Sequence, residues 1–315
     1  MPKFPAQRDG VLYLTEGGQE TEIMYKFGHE LPEFAMYPLL DNRRAMDDLK
    51  GMYSRVLDAA AEHGFAAMIS GLDYRGSPDW GGKLGYSRES LADALMQSIA
   101  FLRDVAKPYE SQISEILYGG LLGPRGDAYS LNRTITADEA EEYHSFQIET
   151  LQRANVDFVG AATFNNIPEA VGVARAAARV GMPINIAFTL DSTHRLKSGP
   201  SLKEAIEAVD AEAGDSKPDF YGINCSHPLE FEPALEPGSW ITRLRSLRPN
   251  ASAKDKMALC KIGHLEDGDP EDLGVRMGAL ARRYSHIDIW GGCCGTWDRH
   301  LSQIAQNVTA ARANS

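Results

Sequence analysis

Eight short apolar runs alternating with eight longer amphipathic segments predict a single (β/α)8 TIM barrel, an α/β fold whose one domain spans 1–315. Two further observations favour a closed barrel over an open, doubly wound sheet. The turn after the first run lacks the Gly-x-Gly-x-x-Gly form expected of a phosphate-binding open sheet. The 315 residues, 43% hydrophobic and 24% charged, contain no internal repeat or low-complexity tract that would divide the chain.

In chain order, residues 11–15 (Val-Leu-Tyr-Leu-Thr) read as the first strand and the amphipathic stretch 47–61 as the first helix. Residues 65–70 (Phe-Ala-Ala-Met-Ile-Ser) form the second strand. The Gly-rich stretch 73–87 reads as a long irregular loop ahead of a helix over 90–106. A third strand over 115–121 precedes a helix over 137–153, whose start is marked by Thr136 with Glu139 three residues on. Strands at 156–163 and 184–189 flank a helix at 168–179, and the next pair is a helix at 202–213 and a strand at 220–224. A helix over 240–247, a seventh strand over 256–262, a helix over 272–284, an eighth strand over 287–290 and a helix over 299–311 complete the set. In such barrels the active site lies at the carboxyl ends of the strands, so residues just after each strand carry the functional expectations.

Charge and cysteine content narrow the function classes. The net charge of −12, from 32 basic and 44 acidic side chains, argues against nucleic-acid and anionic-membrane partners. No apolar run approaches the ~18 residues of a membrane span, and the first residues lack a signal-peptide pattern. Four cysteines in so long a chain do not make a disulfide framework, which points to a reducing, cytoplasmic setting. A homo-oligomer is compatible with all of this.

The four thiols differ in context. Cys293 and Cys294 are adjacent within Gly291-Gly292-Cys293-Cys294-Gly295, and neighbouring thiols do not readily form a disulfide with each other. Both can reach one soft metal ion where the flanking glycines let the backbone bend. Cys225 closes the sixth strand, so in a barrel its sulfur opens on the same face as the pair. Three thiolates with one position open match a catalytic zinc site. The competing readings are buried cysteines acting as small hydrophobes, which is preferred for Cys260, and a redox pair, whose usual spacing is Cys-x-x-Cys.

The same residues resemble the homocysteine S-methyltransferase family. Its signature Gly-Gly-Cys-Cys-Gly-Thr is matched over 291–296, and its Gly-x-Asn-Cys over 222–225, with Pro228 following. Softer matches are Glu16-Gly17 with Thr21 after the first strand, 123–129 after the third, and 187–199 after the fifth. The resemblance implies a zinc barrel in which Cys225, Cys293 and Cys294 hold the metal. It further implies methyl transfer from a sulfonium or ammonium donor, of the S-methylmethionine or betaine type, to a zinc-bound thiolate. Homocysteine is the default acceptor and methionine the product, so the partners are a small-molecule thiol and a methyl donor. Substrate contacts are expected from Glu16, Gly17, Asp73, Tyr74, Thr163 and Asn224 at the strand ends. Glu16, Glu20 and Asp73 are candidate carboxylates for a cationic donor, and Tyr74 or Phe164 could stack on it. Asn224 is expected to fix the ligand loop by hydrogen bonding, while His227 and His264 read as supporting or loop histidines.

The chain departs from the family's pattern at the barrel mouth. Glu16 replaces an aspartate, and Gly71-Leu72-Asp73 replaces a Thr-Asn-Thr-like stretch. Ala162 stands where the family carries a glutamate that holds the substrate amino group, and Ile262-Gly263-His264 where Asn-Ser-Gly is typical. These departures keep two alternatives open: a zinc methyltransferase of the same fold acting on a different thiol or thioether, and a non-catalytic zinc-binding barrel.

Overall fold

In the computed structural model, which describes residues 4–313 apart from the side chains of Met257 and Cys260, eight parallel strands close in chain order. They are β1 (Tyr13–Thr15), β2 (Ala66–Ser70), β3 (Ile116–Leu122), β4 (Phe158–Phe164), β5 (Ile184–Phe188), β6 (Phe220–Asn224), β7 (Leu244–Arg248) and β8 (Ile289–Trp290). Closure comes from β8, which pairs with β7 through Ser246 and Leu247 and with β1 through Tyr13 and Leu14. The helices are α1 (Gln19–Tyr25), α2 (Arg43–His63), α3 (Pro78–Lys83), α4 (Arg88–Ala106), α5 (Ala137–Arg153), α6 (Ile167–Arg179), α7 (Leu202–Ala213), α8 (Pro228–Phe231), α9 (Lys256–Lys261), α10 (Pro270–Arg283) and α11 (Asp298–Ala313). Between β6 and β7 the layer thins to the one-turn α8 and two 3₁₀ turns. No helix among the described residues is long and apolar enough to cross a membrane.

Helix starts follow side-chain chemistry that is local in the sequence. Glu139 N donates to Thr136 Oγ1 at 3.2 Å while Thr136 N donates to the Glu139 carboxylate at 2.9 Å, so the expected box opens α5. The 73–87 stretch differs from the expected loop by folding the short α3, with Pro78 at its first turn.

Two expected elements are exchanged. The segment read as a helix over 240–247 is a 3₁₀ turn over Ser239–Arg243 running into β7, and the segment read as the seventh strand is α9. Ile241, Leu244 and Leu247 fall at three-residue spacing and imitate a helical face, while Arg245 and Arg248 point into the protein rather than to water. In α9 the run Met257-Ala258-Leu259-Cys260 is too short for its period to separate strand from helix. Asp255 decides the matter by accepting from Ala258 N at 3.0 Å as an N-cap. The expectation that Cys260 is a buried hydrophobe lies outside the described residues. With β7 ending at Arg248, the residues after strand seven are Pro249-Asn250-Ala251-Ser252, so the departure assigned to 262–264 disappears.

The amino-terminal end of the barrel is sealed by aromatic side chains. Phe4 packs edge-on against Phe158 and Phe220, with centroids 5.7 and 4.8 Å apart, above Tyr13, Met68 and Ile289. Arg245 lies over Phe4 and Phe220 and pairs with Asp288 through two bonds of 3.0 and 2.5 Å. This buried pair ties β7 to the chain entering β8. Arg245→Ala is expected to lose about 3–5 kcal/mol of unfolding free energy in urea melts, because Asp288 is left charged without a partner. Arg245→Met with Asp288→Leu should lose clearly less.

A candidate metal centre at the barrel mouth

Cys225 follows β6 in a left-handed backbone conformation (φ 51°), which no glycine eases. The turn swings its sulfur over the mouth rather than along the strand. Cys293 and Cys294 arrive from the β8 side on a segment clasped by both neighbours. Gly291 N donates to Leu247 O at 3.2 Å, Gly292 N to Glu16 O at 3.1 Å and Cys293 N to Pro249 O at 2.8 Å. There is no room there for side chains, since a Cβ on Gly291 would lie 2.1 Å from Thr15 Oγ1 and one on Gly292 2.0 Å from Thr296 Oγ1. The bend itself falls at Gly295, whose φ of 82° suits glycine.

The three sulfurs lie within 4.8 Å of one another, with Cys225 Sγ and Cys294 Sγ 3.8 Å apart. Zinc–sulfur bonds of ~2.3 Å at tetrahedral angles require sulfurs about 3.8 Å apart, so the trio fits a zinc ion. A disulfide requires ~2.05 Å, far from the observed spacing. Hydrogen bonds from Cys293 and then Cys294 hold the Cys225 thiol well below its ordinary pKa. The same contacts raise Cys293 to about 12 and push Cys294 well up. A bound dication would let all three sulfurs ionise.

Asn224 braces this arrangement. Its Oδ1 accepts from Thr163 N at 2.8 Å, and its Nδ2 donates to Thr163 Oγ1 at 3.0 Å and lies 3.8 Å from Cys293 Sγ. Thr163, a β-branched residue at φ 66°, is held in an unfavourable conformation by that exchange. Tyr129 lines the cavity at the mouth, with burial and then the nearby Cys225 raising its pKa.

The sulfurs open into a cavity of about 320 Å³. Gly17, Tyr74, Thr163 and Asn224, from which substrate contacts are expected, line it. Ala162 lines it too, so the mouth has no carboxylate at that position. Glu20 lines the wall with no hydrogen bond to another described residue's side chain, and burial raises its pKa to about 7. Glu16 and Asp73 are placed differently from the expectation. Glu16 is 2% exposed and engaged beneath the mouth, accepting from Arg248 Nη2 at 2.8 Å and Ser70 N at 3.2 Å. Asp73 is fully buried, does not border the cavity, and accepts from Leu121 N at 3.1 Å, with burial raising its pKa to about 7. Phe164 turns away from the mouth to pack on His144, since the strand pleat alternates its faces. His264 is an exposed loop residue, and His227 caps α8, its pKa lowered to about 4 by burial. Sequence reasoning missed Arg248, Asn250 and Lys256 in the lining because it displaced β7.

The family model described as homocysteine S-methyltransferase matches residues 13–308. Among solved structures, the chain is similar to the oxidized form of the homocysteine methyltransferase MmuM from Escherichia coli. That match has a TM-score of 0.72 at 17% identity and covers 97% of this chain and 96% of the other. The metallated form of the same protein matches with a TM-score of 0.70 at 18% identity, covering 95% and 96%. At such identities these neighbours show the shared fold.

Loss of the Asn224 brace should be felt at the sulfurs. Asn224→Ala is expected to weaken zinc binding by ~10–100-fold, measured by competition with a chromophoric chelator, while the fold is retained.

Proposed function

Because this chain belongs to the homocysteine S-methyltransferase family, we propose that it transfers a methyl group from a sulfonium or ammonium donor to the sulfur of a small thiol, homocysteine by default, giving methionine. The observation that carries this reading is the convergence of Cys225, Cys293 and Cys294 on one point at the edge of the mouth cavity. These residues would hold zinc, which when bound would supply the Lewis acidity that lowers the pKa of an entering thiol. A site resting on three free thiols suits a reducing, cytoplasmic setting.

The chemistry asks little else of the protein beyond positioning. The acceptor sulfur forms a bond to the methyl carbon as the bond from that carbon to the donor's onium atom breaks. The bonding pair leaves with the donor, which becomes neutral, and the acceptor's proton has already passed to solvent. Glu20 supplies the negative charge a cationic donor needs, and Tyr74 supplies an aromatic face in the same cavity. Thr163 and Asn224 keep the acceptor side rigid through their mutual hydrogen bonds.

Metal quantification followed by a screen of donors against acceptors tests the reading. Cys225→Ala is expected to lose bound zinc and to lower turnover by more than the ~10–100-fold typical of residues behind a ligand. Retention of both zinc and turnover would contradict the assignment. Glu20 adds a pH signature. With its pKa raised to about 7, it is neutral below that value and ionised above it, so the donor KM should fall as pH rises through about 7. In Glu20→Gln that dependence should vanish.

A further inference from the structure

We propose that Arg248 anchors a carboxylate on the acceptor, so that the acceptor is an anionic thiol acid whether or not it carries an ammonium group. The inference rests on the thiol-methyltransferase reading above and concerns which thiol the pocket selects.

Arg248 closes β7 and reaches the floor of the mouth, its side chain 15% exposed. Its Nε donates to Gly292 O at 3.2 Å, and its Nη2 to the Glu16 carboxylate at 2.8 Å, which fixes the guanidinium plane beside the cysteine segment. Nη1 makes no hydrogen bond to any described residue, although Arg248 borders the cavity. The floor is shared with Ala162 and Asn224, since these three also border a second cavity of about 20 Å³ inside the barrel. That lower space holds no more than about one water, so a thiol must sit above it, against the guanidinium.

Among the described residues, the floor offers no unpaired carboxylate that could take an ammonium group. Ala162 offers none, Glu16 is already engaged by Arg248 and Ser70 N, and Asp73 lies outside the cavity. The carboxylates that do line the cavity are Glu20 on α1 and Asp127 at the exposed rim, where Asp127 accepts from Tyr129 N at 2.6 Å. The other two lining cations belong to other segments: Arg75 follows β2 with its guanidinium over Tyr74 and Trp80, and Lys256 opens α9. Arg75 donates to Gly126 O at 2.7 Å, and Lys256 bonds Leu190 O and the Glu230 carboxylate. Arg248 is the lining cation hydrogen-bonded to the cysteine segment, with Nη1 unengaged by any described residue, and a planar guanidinium suits a carboxylate.

Four thiols of equal reach separate the possibilities in calorimetric titrations of the purified, zinc-loaded protein. They are homocysteine, 4-mercaptobutanoate (no ammonium), 3-mercaptopropylamine (no carboxylate) and 1-propanethiol (neither). The two carboxylates are expected to bind comparably, and the two thiols without one ~10–100-fold more weakly. In the Glu16→Gln/Arg248→Met double variant, which removes the buried pair together, the ratio between 4-mercaptobutanoate and 1-propanethiol should collapse toward unity. Equal binding of all four thiols, or a preference that follows the ammonium, would overturn the Arg248 assignment and leave the methyltransferase reading standing. Failure of all four to bind would remove both.

Discussion

Cys293 and Cys294 face Cys225 because the chain leaving β8 stays hydrogen-bonded to the ends of both neighbouring strands while carrying no side chain along its inner path. β8 itself has only two ladder residues, Ile289 and Trp290. Its continuation through Gly291 and Gly292 is wedged between Thr15 and Thr296 so tightly that any Cβ would collide. The same wedge closes the barrel and delivers two sulfurs. Closure and site are therefore one construction, which explains why two glycines and two cysteines stand in an unbroken row.

Strain is concentrated where the sulfurs meet. Cys225 and Thr163 both occupy left-handed backbone conformations, at a cost of order 1–3 kcal/mol each. Asn224 offsets part of this by bonding Thr163 with both ends of its amide. Charge is distributed in the same economical manner. At the amino-terminal end, Arg245 and Asp288 pair beneath the aromatic plug and serve closure. At the other end, Arg248 and Glu16 pair beneath the sulfurs and give the mouth a polar floor. Two arginines three residues apart on β7 thus serve opposite ends of the barrel.

The parts of the protein legible in its sequence are those where local chemistry has one outcome. Adjacent thiols framed by glycines have few structural uses, and the Thr136–Glu139 box opens a helix wherever it occurs. Seven strands could be placed because apolar runs bounded by turns have few alternatives. β7 could not, since its arginines serve interior partners far away in sequence, Asp288, Glu16 and Gly292, and hydropathy counts them as surface. Arg248 and Asn250 were lost from view with it. The orientation of Asp73 and Phe164 was equally hidden, because which way a residue turns after a strand depends on tertiary partners such as Leu121 N and His144. Glu20 was visible as a charge, but its isolation within the cavity becomes apparent only once the neighbouring strands are in place.

X-ray absorption at the zinc edge, on the purified protein without substrate, addresses the central claim most directly. Three protein sulfurs and one open position predict a shell of three sulfurs at about 2.3 Å with a single lighter nitrogen or oxygen ligand. A four-sulfur shell, or a protein that retains no zinc when all three thiols are reduced, would contradict the account.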